Sequence, residues 1–69
     1  MHLNERIIWF AALKYGGVSY TSKTKEQCSR ALQLLNEYRE HAHNTALNQF
    51  IIQCSDETTI DIYPKSSIN

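Results

Sequence analysis

"ERIIWFAALKYGG", residues 5–17, decides how this 69-residue chain is read. Taken two by two, Ile7, Trp9, Ala11, Leu13 and Tyr15 form an unbroken apolar set. The alternate set, Arg6, Ile8, Phe10, Ala12 and Lys14, is apolar at its centre and charged at its ends. Such alternation suits a strand, and a helix would carry apolar groups all round its axis. Ala11, Ala12 and Leu13 keep a helix in play, because these residues have high helix propensity. The strand is the preferred reading, and the chain's two glycines, Gly16 and Gly17, support it. A two-residue hairpin loop needs positive φ, which glycine adopts without steric cost. That turn sets Tyr15 opposite Val18 and Leu13 opposite Tyr20, apolar against apolar.

Working outward, "VSYTS" becomes the second strand. "TKEQ" then opens a helix, with Thr24 as cap and Gln27 reaching back from the third helical position. The helix is expected from Lys25 to His41. Its apolar stripe is Cys28, Ala31, Leu32, Leu35 and Tyr38, with Leu34 on the flank. "HNTALN" is the exit loop. "QFIIQC" (49–54) and "TIDIY" (59–63) are the last strands. Phe50, Ile52 and Cys54 share a face, as do Ile60 and Ile62. For those faces to coincide across a hairpin, the loop must be odd, either Ser55 to Glu57 or Ser55 to Thr59. Pro64 ends the strand, since it has no N–H for the ladder. Residues 65–69 are expected to be a frayed tail.

The expected fold is α+β, ββαββ: a four-stranded antiparallel sheet with one helix packed on one face, in a single domain over residues 1–64. Strand order is open, with the first strand central. Ile7, Trp9, Leu13, Val18, Tyr20, Phe50, Ile52, Ile60 and Ile62 are placed under the helix. The other face then shows Ile8, Phe10, Ala12, Ile51 and Tyr63 among Ser19, Thr21, Gln49, Gln53 and Asp61. An inverted assignment puts Phe10 inside and Trp9 outside. Either way one aromatic is left uncovered, and a contiguous apolar patch with a polar rim marks an association surface.

Bulk properties narrow the function. A chain this short buries only about 60% of the surface its unfolded form exposes, so a second copy or a partner would help it. Seven basic and seven acidic side chains cancel. No strong electrostatic partner is implied, neither bulk nucleic acid nor an anionic membrane. The charges are nonetheless unevenly placed. Residues 1–30 carry Arg6, Lys14, Lys23, Lys25 and Arg30 against Glu5 and Glu26, net +3. Residues 31–69 carry Arg39 and Lys65 against Glu37, Glu40, Asp56, Glu57 and Asp61, net −3. A dipolar surface of this kind orients a partner.

Chemistry-bearing residues are few. Cys28 and Cys54 make no CxxC motif and read as reduced, buried thiols of a cytoplasmic protein, a disulfide being open only if the two meet. His2, His41 and His43 lack a metal-ligand spacing, so no metal or other cofactor is expected. Cys28 lies on the apolar stripe, which makes it a core residue rather than a nucleophile. Residues 6–17, "RIIWFAALKYGG", are too short and too interrupted to span a bilayer.

"LKYGGVSYTSKTKEQCSRAL", residues 13–32, resembles the start of small orphan proteins encoded by bacteriophages: an apolar strand, a glycine-rich turn and a "T-x-E-x-C" helix entry. The resemblance is structural and covers that stretch alone. It implies a role in binding and inhibiting or redirecting a host protein, and no functional residue carries over from it.

The sequence therefore points to a non-enzymatic interaction module with a protein partner, a host protein or a second copy in a homodimer. Ile8, Phe10, Ile51 and Tyr63 would make the contact, with Lys14 and Asp61 as rim charges. The alternative is a small nucleic-acid-binding regulator, with bases stacked on sheet aromatics and Lys14, Lys23, Lys25 and Arg30 gathered at one end.

Overall fold

The computed structural model describes residues 4–67. It is an α+β fold with two helices and a three-stranded antiparallel sheet. In chain order these are helix α1 (Glu5–Tyr15), strand β1 (Val18–Thr21), helix α2 (Lys25–His41), a 3-10 turn (Thr45–Gln49), and strands β2 (Phe50–Cys54) and β3 (Thr59–Pro64). A short 3-10 turn, Lys65–Ser67, follows; the rest of the expected tail lies outside the described residues. Among the described residues, no helix is long and apolar enough to cross a membrane.

The expected first strand is a helix, and its ends explain why. Asn4 takes an extended conformation and its side chain accepts a hydrogen bond from the Ile7 N–H at 3.1 Å. Glu5 in the first turn and Lys14 in the last both suit the helix dipole. At the other end Gly16 is left-handed, with φ 77°. The N–H groups of Gly16 and Gly17 both donate to the Ala12 carbonyl, at 2.9 and 3.0 Å. The glycines therefore close a helix instead of turning a hairpin. Gly17 is needed for a second reason: its φ is 145°, and a Cβ there would stand 3.0 Å from the Ile62 carbonyl oxygen.

With residues 5–15 helical, β1 finds another partner. It pairs with β3, Val18 opposite Ile62 and Tyr20 opposite Ile60. The sheet order is β1-β3-β2, so β3 holds the centre expected for the first strand. The last hairpin uses the five-residue loop, with Cys54 opposite Ile60 and Ile52 opposite Ile62. Its turn is tied by Asp56, whose carboxylate accepts from the Thr58 N–H at 2.8 Å, and that bond holds the acid below its ordinary value.

Helix α2 forms where it was expected. The Thr24 side chain accepts from the Gln27 N–H at 3.1 Å. Gln27 reaches back one residue beyond the cap, its side-chain oxygen accepting from the Lys23 N–H at 3.1 Å. Cys28, Ala31 and Leu35 are buried, with Leu32 and Tyr38 packed beside them.

Both helices lie on one face of the sheet. Trp9 and Ala12 of α1 join Cys28, Ala31 and Leu35 of α2 over Phe50, Ile60 and Ile62. Leu47 of the 3-10 turn completes this core. Trp9 is the pivot at 1% exposure. Its indole N–H donates to the Leu35 carbonyl at 3.0 Å, and its ring meets Phe50 edge-on with centroids 6.2 Å apart. Arg39 closes that edge, its guanidinium 5.7 Å from the Trp9 ring and donating to the Phe50 carbonyl at 2.9 Å.

Candidate interaction surfaces

Five of the six residues expected to meet a partner fall on two surfaces. Ile51, Asp61 and Tyr63 lie on the sheet face that neither helix covers. Phe10 and Lys14 lie on the outward side of α1, where both are exposed. Ile8 belongs to neither: it is half-buried and packs against the core. Ala12, expected on the open face, is fully buried. Ile7 and Leu13, expected inside, face solvent.

The open sheet face follows from strand alternation. With Ile60 and Ile62 inward, Asp61 and Tyr63 point outward, and the register sets Ser19 and Gln53 beside Asp61 and Ile51 beside Tyr63. Most of this face is polar and internally satisfied. The Ser19 hydroxyl donates to the Asp61 carboxylate at 2.6 Å, and the Tyr63 hydroxyl donates to the Gln53 side-chain oxygen at 2.6 Å. Its apolar content is one cross-strand pair, Ile51 and Tyr63, both half-buried. The large apolar patch expected here is absent, because Phe10 and Ile8 left the sheet when their segment became helical.

The apolar surface moved with them. At about 100° per residue, Ile7, Phe10 and Leu13 fall on the side of α1 away from Ile8 and Ala12. Phe10 is 66% exposed, Ile7 64% and Leu13 41%. Arg6 and Lys14 share that side and are also exposed. Tyr15, in line with Ile8 rather than with Phe10, is 73% exposed at the C-terminal end, with the Lys14 ammonium 5.4 Å from its ring. Beside Ile7 the surface runs into an open groove of about 940 Å³ between α1, β1 and α2. Ile8, Tyr20, Ala31 and Leu34 line it, with the exposed cations Lys23 and Arg30 also on its wall.

The basic residues do not gather at one end. Lys23 and Arg30 share the groove with Asn4 and Glu5 at the start of α1, whereas Lys14 is at its far end, about 13 Å of helix rise away. An open sheet presenting one aromatic ring next to Asp61 is also a poor platform for stacked bases.

Of the remaining chemical groups, Cys28 is buried as expected and Cys54 is exposed. His41 and His43 are exposed, and His2 lies outside the described residues. Among the described residues, no three His, Cys, Asp or Glu side chains stand close enough to share a metal ion.

Sequence reasoning placed Phe10 outside but missed Ile7 and Leu13. A signal for them existed: positions 7, 10 and 13 recur at a helical spacing, opposed by a second apolar set at 8, 9 and 12. Comparison with family models, with curated proteins and with solved structures gave no match.

Proposed function

We propose that this chain is a binding module that docks a carboxylate-bearing apolar segment of another protein onto the outward face of α1. One observation carries the reading: Ile7, Phe10 and Leu13 stand in water, side by side, on a helix that already commits Trp9 and Ala12 to the core. Burying a side chain of this size is worth about 1.5–3 kcal/mol. A domain this small leaves several such increments unused unless a partner collects them.

Charge selects the partner. The flanking groups on this face are Arg6 and Lys14, and Lys23 and Arg30 continue the positive sign along the groove. Glu5 is half-buried towards α2. A symmetric antiparallel contact between two α1 helices centred on Phe10 would bring Arg6 of one copy opposite Lys14 of the other. Like charges there oppose a homodimer through this face and favour a partner with acidic rim groups. The resemblance of residues 13–32 to small phage-encoded proteins supplies a setting in which that partner is a host protein.

The test is an array of amphipathic peptides identical in apolar content, one series acidic and one basic, probed with the purified chain. Acidic peptides should be retained, and Phe10→Asp should lose at least ~30-fold in affinity, the cost of a central hot spot. Equal retention of both series, or wild-type binding by Phe10→Asp, overturns the proposal. Light scattering of the pure chain checks self-association: a dimer dispersed by Phe10→Asp would assign the face to a second copy.

A further inference from the structure

A pair of thiols, separate from both surfaces, stands where the last hairpin meets the start of α2. Cys54 closes β2 on the helix side of the sheet, the side of Phe50 and Ile52, and its cross-strand partner is the fully buried Ile60. Cys28 belongs to the same buried cluster as Ile60. Hydrogen bonds tie the start of α2 to the last hairpin beside these residues. The Cys28 N–H donates to the Thr24 carbonyl at 3.0 Å, and the buried Ser22 hydroxyl is 3.0 Å from the same carbonyl and 3.2 Å from that of Thr58. The Ser22 N–H donates to the Thr58 carbonyl at 2.8 Å, and Ser55 closes the hairpin on Thr59 at 3.1 Å. Cys54 and Ser22 are the neighbouring side chains that act on the Cys28 thiol, Ser22 lowering its proton affinity. Burial pushes the Cys28 thiol above its ordinary value, and the neighbouring Cys54 adds to the rise.

We propose that Cys28 and Cys54 form a two-thiol modification site that reacts with a low-molecular-weight disulfide. Exposure divides the roles. Cys54 is open to solvent and takes the incoming reagent; Cys28 is enclosed and has Cys54 as its accessible sulfur partner. The Cys54 thiolate attacks one sulfur of R–S–S–R, forming a Cys54–S–S–R mixed disulfide and releasing one R–S⁻. The Cys28 thiolate then attacks the Cys54 sulfur, forming the Cys28–Cys54 bond and releasing the second R–S⁻. Two thiol protons are given up, and two electrons pass to the reagent. The product ties the start of α2 to the end of β2 and constrains the unfolded chain between them.

The purified full chain is incubated with oxidised glutathione, quenched by alkylation and weighed. The expected product is a monomer that has lost the mass of two hydrogens and both alkylatable thiols, and that melts at a higher temperature than the reduced chain. Cys28→Ala should stop at a glutathione adduct on Cys54. Cys54→Ser should stay unmodified over the same period. A persistent glutathione adduct on the wild type, or a dimer linked through Cys54, overturns the proposal. If Cys28→Ala fails to fold, the wild-type mass and the exposed-site variant Cys54→Ser decide it.

Discussion

The two helices are built from opposite kinds of sequence, and the contrast accounts for most of this molecule. Helix α2 has one apolar stripe and a polar remainder, and a side-chain cap at Thr24 marks its start. Helix α1 has two apolar sides: Ile8, Trp9 and Ala12 enter the core, and Ile7, Phe10 and Leu13 face water. A single stripe has one use, which is to pack. A second stripe on a packed helix has no use inside the monomer, so α1 is where the fold and the proposed binding surface meet.

The sharpest way to break that contrast is to truncate each side of α1 in turn. Trp9→Ala should cost about 3–5 kcal/mol in urea unfolding, comparable with Leu35→Ala in α2 at about 2–5 kcal/mol. Phe10→Ala, on the exposed side, should stay within about 0.5 kcal/mol of the wild type. A Phe10 variant as damaging as Trp9→Ala would mean that the outer side of α1 is structural.

The helix ends give a smaller effect. Gly17→Ala should lose about 1–3 kcal/mol in thermal unfolding, because its φ of 145° and the Ile62 carbonyl 3.0 Å from a Cβ act together. Gly16→Ala, with nothing within 4 Å of its Cβ, should lose only the left-handed penalty of about 1 kcal/mol. Equal losses at the two glycines would argue against the close approach of α1's exit to β3.

Smaller again is the comparison of caps. Asn4→Ala and Thr24→Ala each remove one side-chain acceptor from a helix start and should each cost about 1 kcal/mol. Helicity measured by circular dichroism should then fall first in the shorter helix, α1, which has fewer turns to compensate.

The slightest effect is a pH dependence confined to α2. The Cys28 thiol is raised in the folded chain, chiefly by burial, so the unfolded chain ionises first. Its contribution is complete below the ordinary thiol value of 9.0 and is lost as pH rises from there towards the folded value. Under reducing conditions the wild-type urea midpoint should fall more steeply above pH 9.0 than that of Cys28→Ala. Parallel curves would show that the thiol is not shielded.

The legible parts of the chain were those whose local signals agree. Thr24, Gln27 and the 28-31-35 spacing all name one helix, and the inward sets 50-52-54 and 60-62 require an odd hairpin loop whatever else the chain does. The open sheet face could be assigned in part for the same reason: Ile51, Asp61 and Tyr63 follow from strand alternation alone. Residues 5–17 carry conflicting signals. Their alternation imitates a strand, Gly16-Gly17 serves a hairpin or a helix end equally well, and Asn4 as a cap is one residue's worth of information.

The sequence by itself determined α2, the two C-terminal strands, the parity of their hairpin and the presence of more apolar surface than one helix can cover. Tertiary structure decided that residues 5–15 coil, that β1 joins β3 rather than its neighbour in the chain, and that the surplus apolar surface sits on a helix. The reason is the range of the forces involved. Caps and periodicity act within a few residues, whereas the choice between strand and helix for a segment apolar on all sides depends on where Trp9 finds its partners. Those partners, Leu35 and Phe50, lie far along the chain and meet it only in the assembled core.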